Sequence, residues 1–454
     1  MAGAQGRGWW TTRRRGITGV TAIGAVLLGL VAGCSSGTAS GSGSAAGSGG
    51  KVAITFWDDN GGVRTPAWQK IISDFEKQNP NITVNYVGVG SSSIEQKYNT
   101  AIAGGSPPDV GMVSSQYLAS LVAQKALVPL DSMYSSSPLN GKIDQAMLKS
   151  ARTDAPDGKL YLMPLTTTFD TLYYRTDWFK KAGLSAPTTW ADFFKDAKTL
   201  TNSGANQFGF TLRGGAGGTL QLLDALLYYT APKSFFDGSG QAVIGSSQAA
   251  SFVQQMADLY RNGETPQADI NNGYQQMVSE FDQGEAAMMQ HNLGSYSNHV
   301  KALGTSKFAG ISMPIGPSGT PVQVFPGDNG PAIFAKSAHQ AAAWKFVEFA
   351  DSATENSYWN QQAQQVPANT DAQSQSWVKQ NAAMENTLQR LDAPNTIVIE
   401  DPHYLPEFGT IMDVDMAPLW QKVLNGSMTA QAFVTKWAAE FTTAQQNYKS
   451  HNGG

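Results

Sequence analysis

Trp57, Asp58, Asp59 and Asn60 stand side by side where an apolar, β-rich run, "VAITFW" (52–57), ends. An indole, two carboxylates and an amide within four residues suit two chemistries. One is calcium binding, which needs alternating acidic residues and a distal glutamate. The residues that follow, "GGVRTPAW", supply neither. The other is recognition of a ring of hydroxyls, in which flat aromatics cover C–H faces and carboxylates or amides take hydroxyl protons. The plain alternative is a turn with a core tryptophan. Ligands of open α/β sheets sit beyond the carboxyl ends of strands, which favours contact through Asp58 or Asp59. Asp170 is an acid inside an otherwise apolar strand, "FDTLYYR" (169–175). It is either a cleft residue or the ion partner of Arg175 or Lys159. Arg213 heads "RGGAGG" (213–218), just before a helical run. Glycine-rich backbone at a helix start can cradle an anion. The Gly-Lys-Ser/Thr ending of a phosphate loop is missing, so a flexible strand-to-helix connector is the simpler reading.

Bond-breaking chemistry finds less support. The Gly-x-Ser-x-Gly at Gly33–Gly37 falls in a segment with no strand-turn-helix pattern. The 5 histidines are scattered without metal-ligand spacing, and there is 1 cysteine. No strand-end acid pattern of a (β/α)8 barrel repeats. A glycoside hydrolase would need two carboxylates about 5–9 Å apart, which sequence alone does not exclude. Neither a cofactor nor a metal is expected.

These residues must be positioned by something, and the patterning says what. "VAITFW" is a strand. Thr65-Pro66 reads as a helix start, with Trp68, Ile71, Ile72 and Phe75 at helical spacing. "ITVNYVGV" (82–89) is a second strand, and Ser91–Ser93 cap a helix to Ala103. "DVGMV" (109–113) is a third strand, with Ser114 or Ser115 capping the next helix. This β-α-β-α-β order predicts an α/β lobe with a mostly parallel sheet. Further strands are expected within 157–165, 169–175 and 207–212, and a helix over "TLQLLDALLYY" (219–229). The carboxyl-terminal part, Asp413–Tyr448, reads as helical with a break at Asn425-Gly426. The stretch from Lys51 onward is longer than one core usually holds, so two lobes are expected. The 11 Trp and 15 Tyr are mostly core material.

The amino terminus reads differently. Arg13–Arg15 precede an uncharged run, Ile17–Gly33, and then Cys34. A basic cluster, an apolar run and small residues describe an export signal, and the run is short for a span of about 20 residues. "LVAGC" (30–34) resembles a bacterial lipobox. That resemblance implies cleavage before Cys34 and lipid on its sulfur, leaving 1–33 as signal peptide. Residues 34–50 are then a flexible Gly/Ser tether reaching about 20–25 Å. "TRRRGI" is also compatible with twin-arginine export. Removing the four arginines before Cys34 takes the formal charge from −4 to −8. That argues against nucleic acid or an anionic membrane surface as partner.

Several stretches together resemble the extracellular solute-binding proteins of carbohydrate ABC importers, the maltodextrin-binding type. They are "ITFWDDN" (54–60), "AIAGGSPPDV" (101–110), "LVPLD" (127–131), "DGKLYLMPLTTTFDTLYYRTDWFKKAGLSAPTTWADFFKDAKTL" (157–200), "FDQGEAAMM" (281–289) and "GPAIFAKSAHQAAAWKFVEFAD" (330–351). Their order and spacing over nearly the whole body carry the resemblance. It implies an α/β, two-lobed periplasmic-binding-protein type II fold with hinge crossovers and a ligand cleft. The amino-terminal lobe would hold 51–165 plus 312–368, and the carboxyl-terminal lobe 166–311 plus 369–450. The function implied is capture of a sugar or oligosaccharide by lobe closure, without catalysis, and delivery to ABC permease subunits. The protein would be a monomer outside the cytoplasm, anchored to the outer face of the cell membrane through Cys34. Glycerol 3-phosphate or another polyol phosphate is the alternative ligand.

The resemblance also nominates residues. The loop of Trp57, Asp58 and Asp59 contacts ligand in the family. Gln116, beside Ser114 and Ser115, stands where relatives carry Trp, Asp or Asn. Thr168 lies nearest the contact in the loop after "YLMP", next to Asp170. The family's ligand approaches the Arg213 loop. His291, Asn292 and Tyr296 occupy a loop whose usual tryptophan is absent, with Tyr296 the nearest stacking substitute. Asp328 and Asn329 match another ligand loop, with a tight Asn-Gly hairpin as the structural alternative. His403, Tyr404 and Glu407 lie where the family's last ligand loop runs.

Overall fold

The computed structural model describes residues 50–90 and 93–452. The signal, Cys34 and tether expectations, and Ser91 and Ser92, lie outside those residues.

The first lobe is built on a six-stranded sheet. Its strands are β1 (Val52–Asp58), β2 (Ile82–Gly88), β3 (Val110–Ser114), β4 (Thr166–Thr167), β9 (Asp328–Ile333) and β10 (Val366–Pro367), in the order β10-β4-β9-β3-β1-β2. β1 runs parallel to β2 and β3, while β9 runs antiparallel to β3 and β4. Alternation along β1 buries Ile54, Phe56 and Asp58 on one face. Helix Thr65–Gln78 covers that face with Trp68, Ile71, Ile72 and Phe75. Phe56 packs edge-on against Trp68 at 4.6 Å, and Phe346 of helix Gln340–Ala350 closes the aromatic cluster.

The second lobe has a three-stranded antiparallel sheet in the order β6-β5-β7: β5 (Asp170–Tyr174), β6 (Met288–Asn292) and β7 (Ala309–Ser312). Its core is mostly helical. Trp190, Leu223, Leu226, Phe252, Trp420 and Trp437 from five helices share it. β8 (Val322–Phe325) pairs in parallel with β11 (Ile397–Glu400), and Val322, Val324 and Ile399 join the second lobe's core.

Chain crossings are short. Thr168 and Phe169 alone separate β4 from β5, and Pro326-Gly327 separates β8 from β9. Phe169 meets Phe325 edge-on at 5.5 Å. A third passage leads from β10 to helix Ala382–Asp392, which lies on β7 with Asn386 O accepting from Ser312 Oγ at 3.1 Å.

Three local expectations give way to tertiary contacts. The 157–165 run makes a single bridge, Leu162 to Ala332, and the regular strand begins at Thr166. The 207–212 run makes only isolated bridges, because Phe210 N bonds Glu264 O instead of a strand neighbour. Asn329-Gly330 lies inside β9 rather than in a hairpin; the turn falls at Gly327, whose φ of 79° suits glycine.

Candidate functional site

Register gathers the site. Ser114, Asn329 and Thr166 are consecutive partners across β3, β9 and β4, and Thr167 faces Asp328. In the second lobe Asp170 faces Asn292. Because two residues join β4 to β5, these rows end close together at the crossing. The lobes also sense each other further out. Arg64 of the first lobe is in electrostatic reach of Tyr274 of the second, and Glu95 of Asp413.

At the end of β1, Asp58 is fully buried and accepts from Trp68 Nε1 (3.2 Å), Tyr86 OH (2.8 Å) and Asn60 N (3.4 Å). Burial, then the neighbouring Asp59, pushes its carboxyl up to about 6. Asp59 is also raised by burial, opposed by Arg64, and its Oδ1 has no donor. Trp57 stacks on Tyr98 at 5.7 Å and carries the Lys97 ammonium 4.2 Å from its ring centre.

Ser114 caps helix Ser115–Ala123, accepting from Gln116 N, and the Gln116 side chain is exposed. Buried Ser115 Oγ accepts from Asp328 N at 3.0 Å. Asp328 is 1% exposed, yet neither carboxylate oxygen meets a donor, and burial raises its pKa. Asn329 Oδ1 and Thr168 Oγ1 are likewise buried without partners.

Asp170 takes neither of its two expected ion partners: Arg175 pairs with Asp177, and Lys159 with Asp157. It accepts from Gln290 Nε2 at 2.6 Å, and burial raises its pKa against the pull of Gln290 and Arg213. Arg213 folds back over its own loop, with Nε donating to Ala216 O at 2.6 Å. A side chain at Gly217 (φ 76°) would strike the guanidinium, so the glycine is required there. Asp413, Asp170 and Tyr274 all face Arg213.

His291 lies against Tyr274 with ring centres 4.6 Å apart and planes tilted by 33°, and burial holds it neutral, down to about 3. Asn292 caps its own turn through Gly294 N at 3.0 Å. Tyr296 is half-buried against Phe308. His403 is buried against Phe408 with Nε2 unpartnered, and burial lowers it to about 3. Tyr404 donates to Gln445 Oε1 at 2.6 Å, and Glu407 Oε2 is unpartnered.

Residues not singled out from sequence also belong here: Arg64, Tyr274, Gln290, Asp413, and the buried pair Asp224 and Asp401. Asp224, a lone acid in the apolar run "LLDALLYY", was the one visible signal. Among the described residues no group of three or more His, Cys, Asp or Glu could hold a metal ion, and no helix is long and apolar enough to cross a membrane. A surface groove lined by Tyr134, Gln145, Lys149 and Arg152 contains none of the candidate residues.

Two α/β lobes joined by short crossings, with unsatisfied polar atoms where they meet, define a two-lobed solute-binding protein. Residues 61–357 match the family of bacterial extracellular solute-binding proteins, and the chain belongs to it. A Brucella abortus (strain 2308) protein is 25% identical over 370 residues, covering 79% of this chain and 82% of its own. The sn-glycerol-3-phosphate-binding periplasmic protein UgpB of Pectobacterium atrosepticum is 22% identical over 395 residues, covering 81% and 86%. The GacH receptor of Streptomyces glaucescens, solved unliganded and with acarbose, superposes with a TM-score of 0.75 at 20% identity, covering 88% of this chain and 100% of that one.

Proposed function

We propose that this protein captures a neutral sugar or oligosaccharide between its lobes and hands it, unaltered, to ABC permease subunits. One observation carries the reading. At the start of β9 and just past the ends of β1 and β4 lie buried oxygen acceptors with no donors: both oxygens of Asp328, Asn329 Oδ1, Thr168 Oγ1 and Asp59 Oδ1. An unpaired buried polar group costs about 1–3 kcal/mol. A polyhydroxylated ligand supplies O–H donors and recovers that cost on binding. Tyr274, backed by His291, offers an aromatic face. Closure would bend the crossings at Thr168–Phe169 and Pro326–Gly327. The contact set spans the residues named above from Trp57 to Glu407. The protein acts as a monomer held to the outer face of the membrane by lipid on Cys34.

A polyol phosphate is the second reading. Arg213 bonds Ala216 O through Nε, which leaves its two terminal nitrogens available to an anion, and the UgpB relative is an sn-glycerol-3-phosphate-binding protein. Against it, Asp170 and Asp413 face the same guanidinium and would repel a phosphate.

A thermal-shift panel of sugars, oligosaccharides and polyol phosphates tests both. A ligand at 100-fold over its Kd adds about 2.7 kcal/mol of stability. A shift with a sugar, recovered intact, is expected. A shift with phosphates alone selects the second reading, and conversion of the sugar to products would sink the binding-protein reading.

A further inference from the structure

The loop that carries Arg213 is seated on one short turn of the second lobe, Gln267–Asn271, and on Asn272 just after it. Gly214 N donates to Asp269 O at 2.8 Å, and Gly215 N to Asn272 O at 2.9 Å. The fit is close. A Cβ on Gly214 would lie 2.6 Å from Asp269 O, and one on Gly215 would lie 2.4 Å from Asn271 O. Both amides are spent on the protein's own backbone, so these glycines serve a close approach and not an anion cradle.

Side chains complete the seat. Asp269 is fully buried, and its Oδ2 accepts from Leu212 N at 2.6 Å, next to Arg213 in the chain. Glu280 of helix Tyr274–Gln283 accepts from Thr211 Oγ1 through Oε2 at 2.5 Å. Asn272 Nδ2 bridges the two acids, donating to Asp269 Oδ1 at 2.9 Å and to Glu280 Oε1 at 2.7 Å. The carboxyls also hydrogen-bond each other, which requires a proton on one of them. Among the described residues neither acid is in an ion pair with Lys or Arg. Tyr260 of helix Ser247–Arg261 faces Asp269, and Glu285 shares a surface groove with half-buried Glu280. From helix Ala417–Leu424, Gln421 bonds Ile270 O and brings no charge. Tyr274 begins its helix two residues after Asn272, so one cluster supports both Arg213 and Tyr274.

We propose that Asp269, Asn272 and Glu280 are positioning residues of the binding site: a proton held between the two carboxyls seats residues 211–215 and the start of helix Tyr274–Gln283, and so fixes where Arg213 and Tyr274 meet a solute. The step to a solute rests on the sugar-binding reading above. The seat does not, so a failed sugar screen leaves its test unaffected. Burial, then the Glu280 charge, raises Asp269 to about 9. A carboxyl raised in the fold favours the fold when protonated. This contribution is complete below about pH 4 and is lost as pH rises through about 9. Past that point two adjacent charges share only neutral donors, and the seat loosens.

The test follows the unliganded protein from pH 6.5 to 9.5 at constant salt, beside Glu280→Gln and Asp269→Asn. Each variant replaces the titrating proton with an amide N–H that no pH in this range removes. Amide exchange, corrected for its intrinsic base catalysis, reads the Leu212, Gly214 and Gly215 N–H groups. Nitrogen NMR reads Arg213 Nε–H, the donor to Ala216 O. In the wild type, protection of the three amides should fall at least about fivefold more than that of helix Thr65–Gln78, and the Arg213 signal should shift with it. Either variant should hold both readouts nearly constant. The carbon resonance of the Asp269 carboxyl needs no variant, and in the wild type it should share the midpoint of the loop amides. Flat wild-type protection, a folded variant with the full wild-type slope, or an Asp269 midpoint apart from that of the loop would overturn the proposal.

Discussion

Asp58 and Asp328 are the same residue type, equally buried, at two corners of one sheet, and their surroundings differ completely. Asp58 ends β1 with three donors on its carboxylate, from Trp68, Tyr86 and Asn60. Asp328 begins β9 with none. The first corner is finished: the hydrogen bonds of its carboxyl tie helix Thr65–Gln78 to the sheet. The second is unfinished, and its missing donors must come from protons or a solute. Burial of a polar residue therefore does not by itself mark a binding group; the state of its hydrogen bonds does.

The strongest way to break the second corner is through its backbone. Gly330 approaches the Met163 carbonyl so closely that a Cβ would lie 1.7 Å from the oxygen. Gly330→Ala must displace β9 and should cost more than about 4 kcal/mol, read by urea denaturation. Breaking the first corner comes next. Asp58→Ala strands the Trp68 and Tyr86 donors and should cost about 2–4 kcal/mol; unchanged stability would show that those bonds hold nothing. Asp328→Asn is expected to leave the unliganded fold as stable or more so, while weakening sugar binding at least about tenfold, or about 1.4 kcal/mol, by calorimetry. Equal losses at the two positions in both assays would erase the distinction. A pH series sharpens it: with Asp58 raised to about 6, its protonated form favours the fold. Its share of stability falls from about pH 4 to pH 6, and Asp58→Asn should remove that slope. The smallest effect is at Ser114, whose loss in Ser114→Ala removes a helix cap worth about 1 kcal/mol.

Much of the finished corner was legible in the sequence. Alternation in "VAITFW" and helical spacing of Trp68, Ile71, Ile72 and Phe75 are local signals, and the structure keeps them. Asp170 was visible as an acid among apolar neighbours, but its partner Gln290 lies 120 residues away and no local pattern announces it. Asp224 and Asp401 lie in segments far apart in the chain, so their meeting is a product of topology. The Asn329-Gly330 dipeptide misled because its turn chemistry is overridden by pairing with β3. Tyr274 was silent for a similar reason: at a helix start it looks like any half-buried aromatic.

The contact of Phe169 with Phe325 has a mechanical consequence. Each ring sits at the edge of a different crossing, and they pack edge-on in the interior. Two thin straps held ring edge to ring face would behave as a laminated leaf spring, supple in bending and stiff in torsion and shear. Such a hinge would confine the lobes to one dominant path, opening and shutting like a book on its spine. An indole or a fluorophore on either rim would report that single coordinate without averaging over twisted poses.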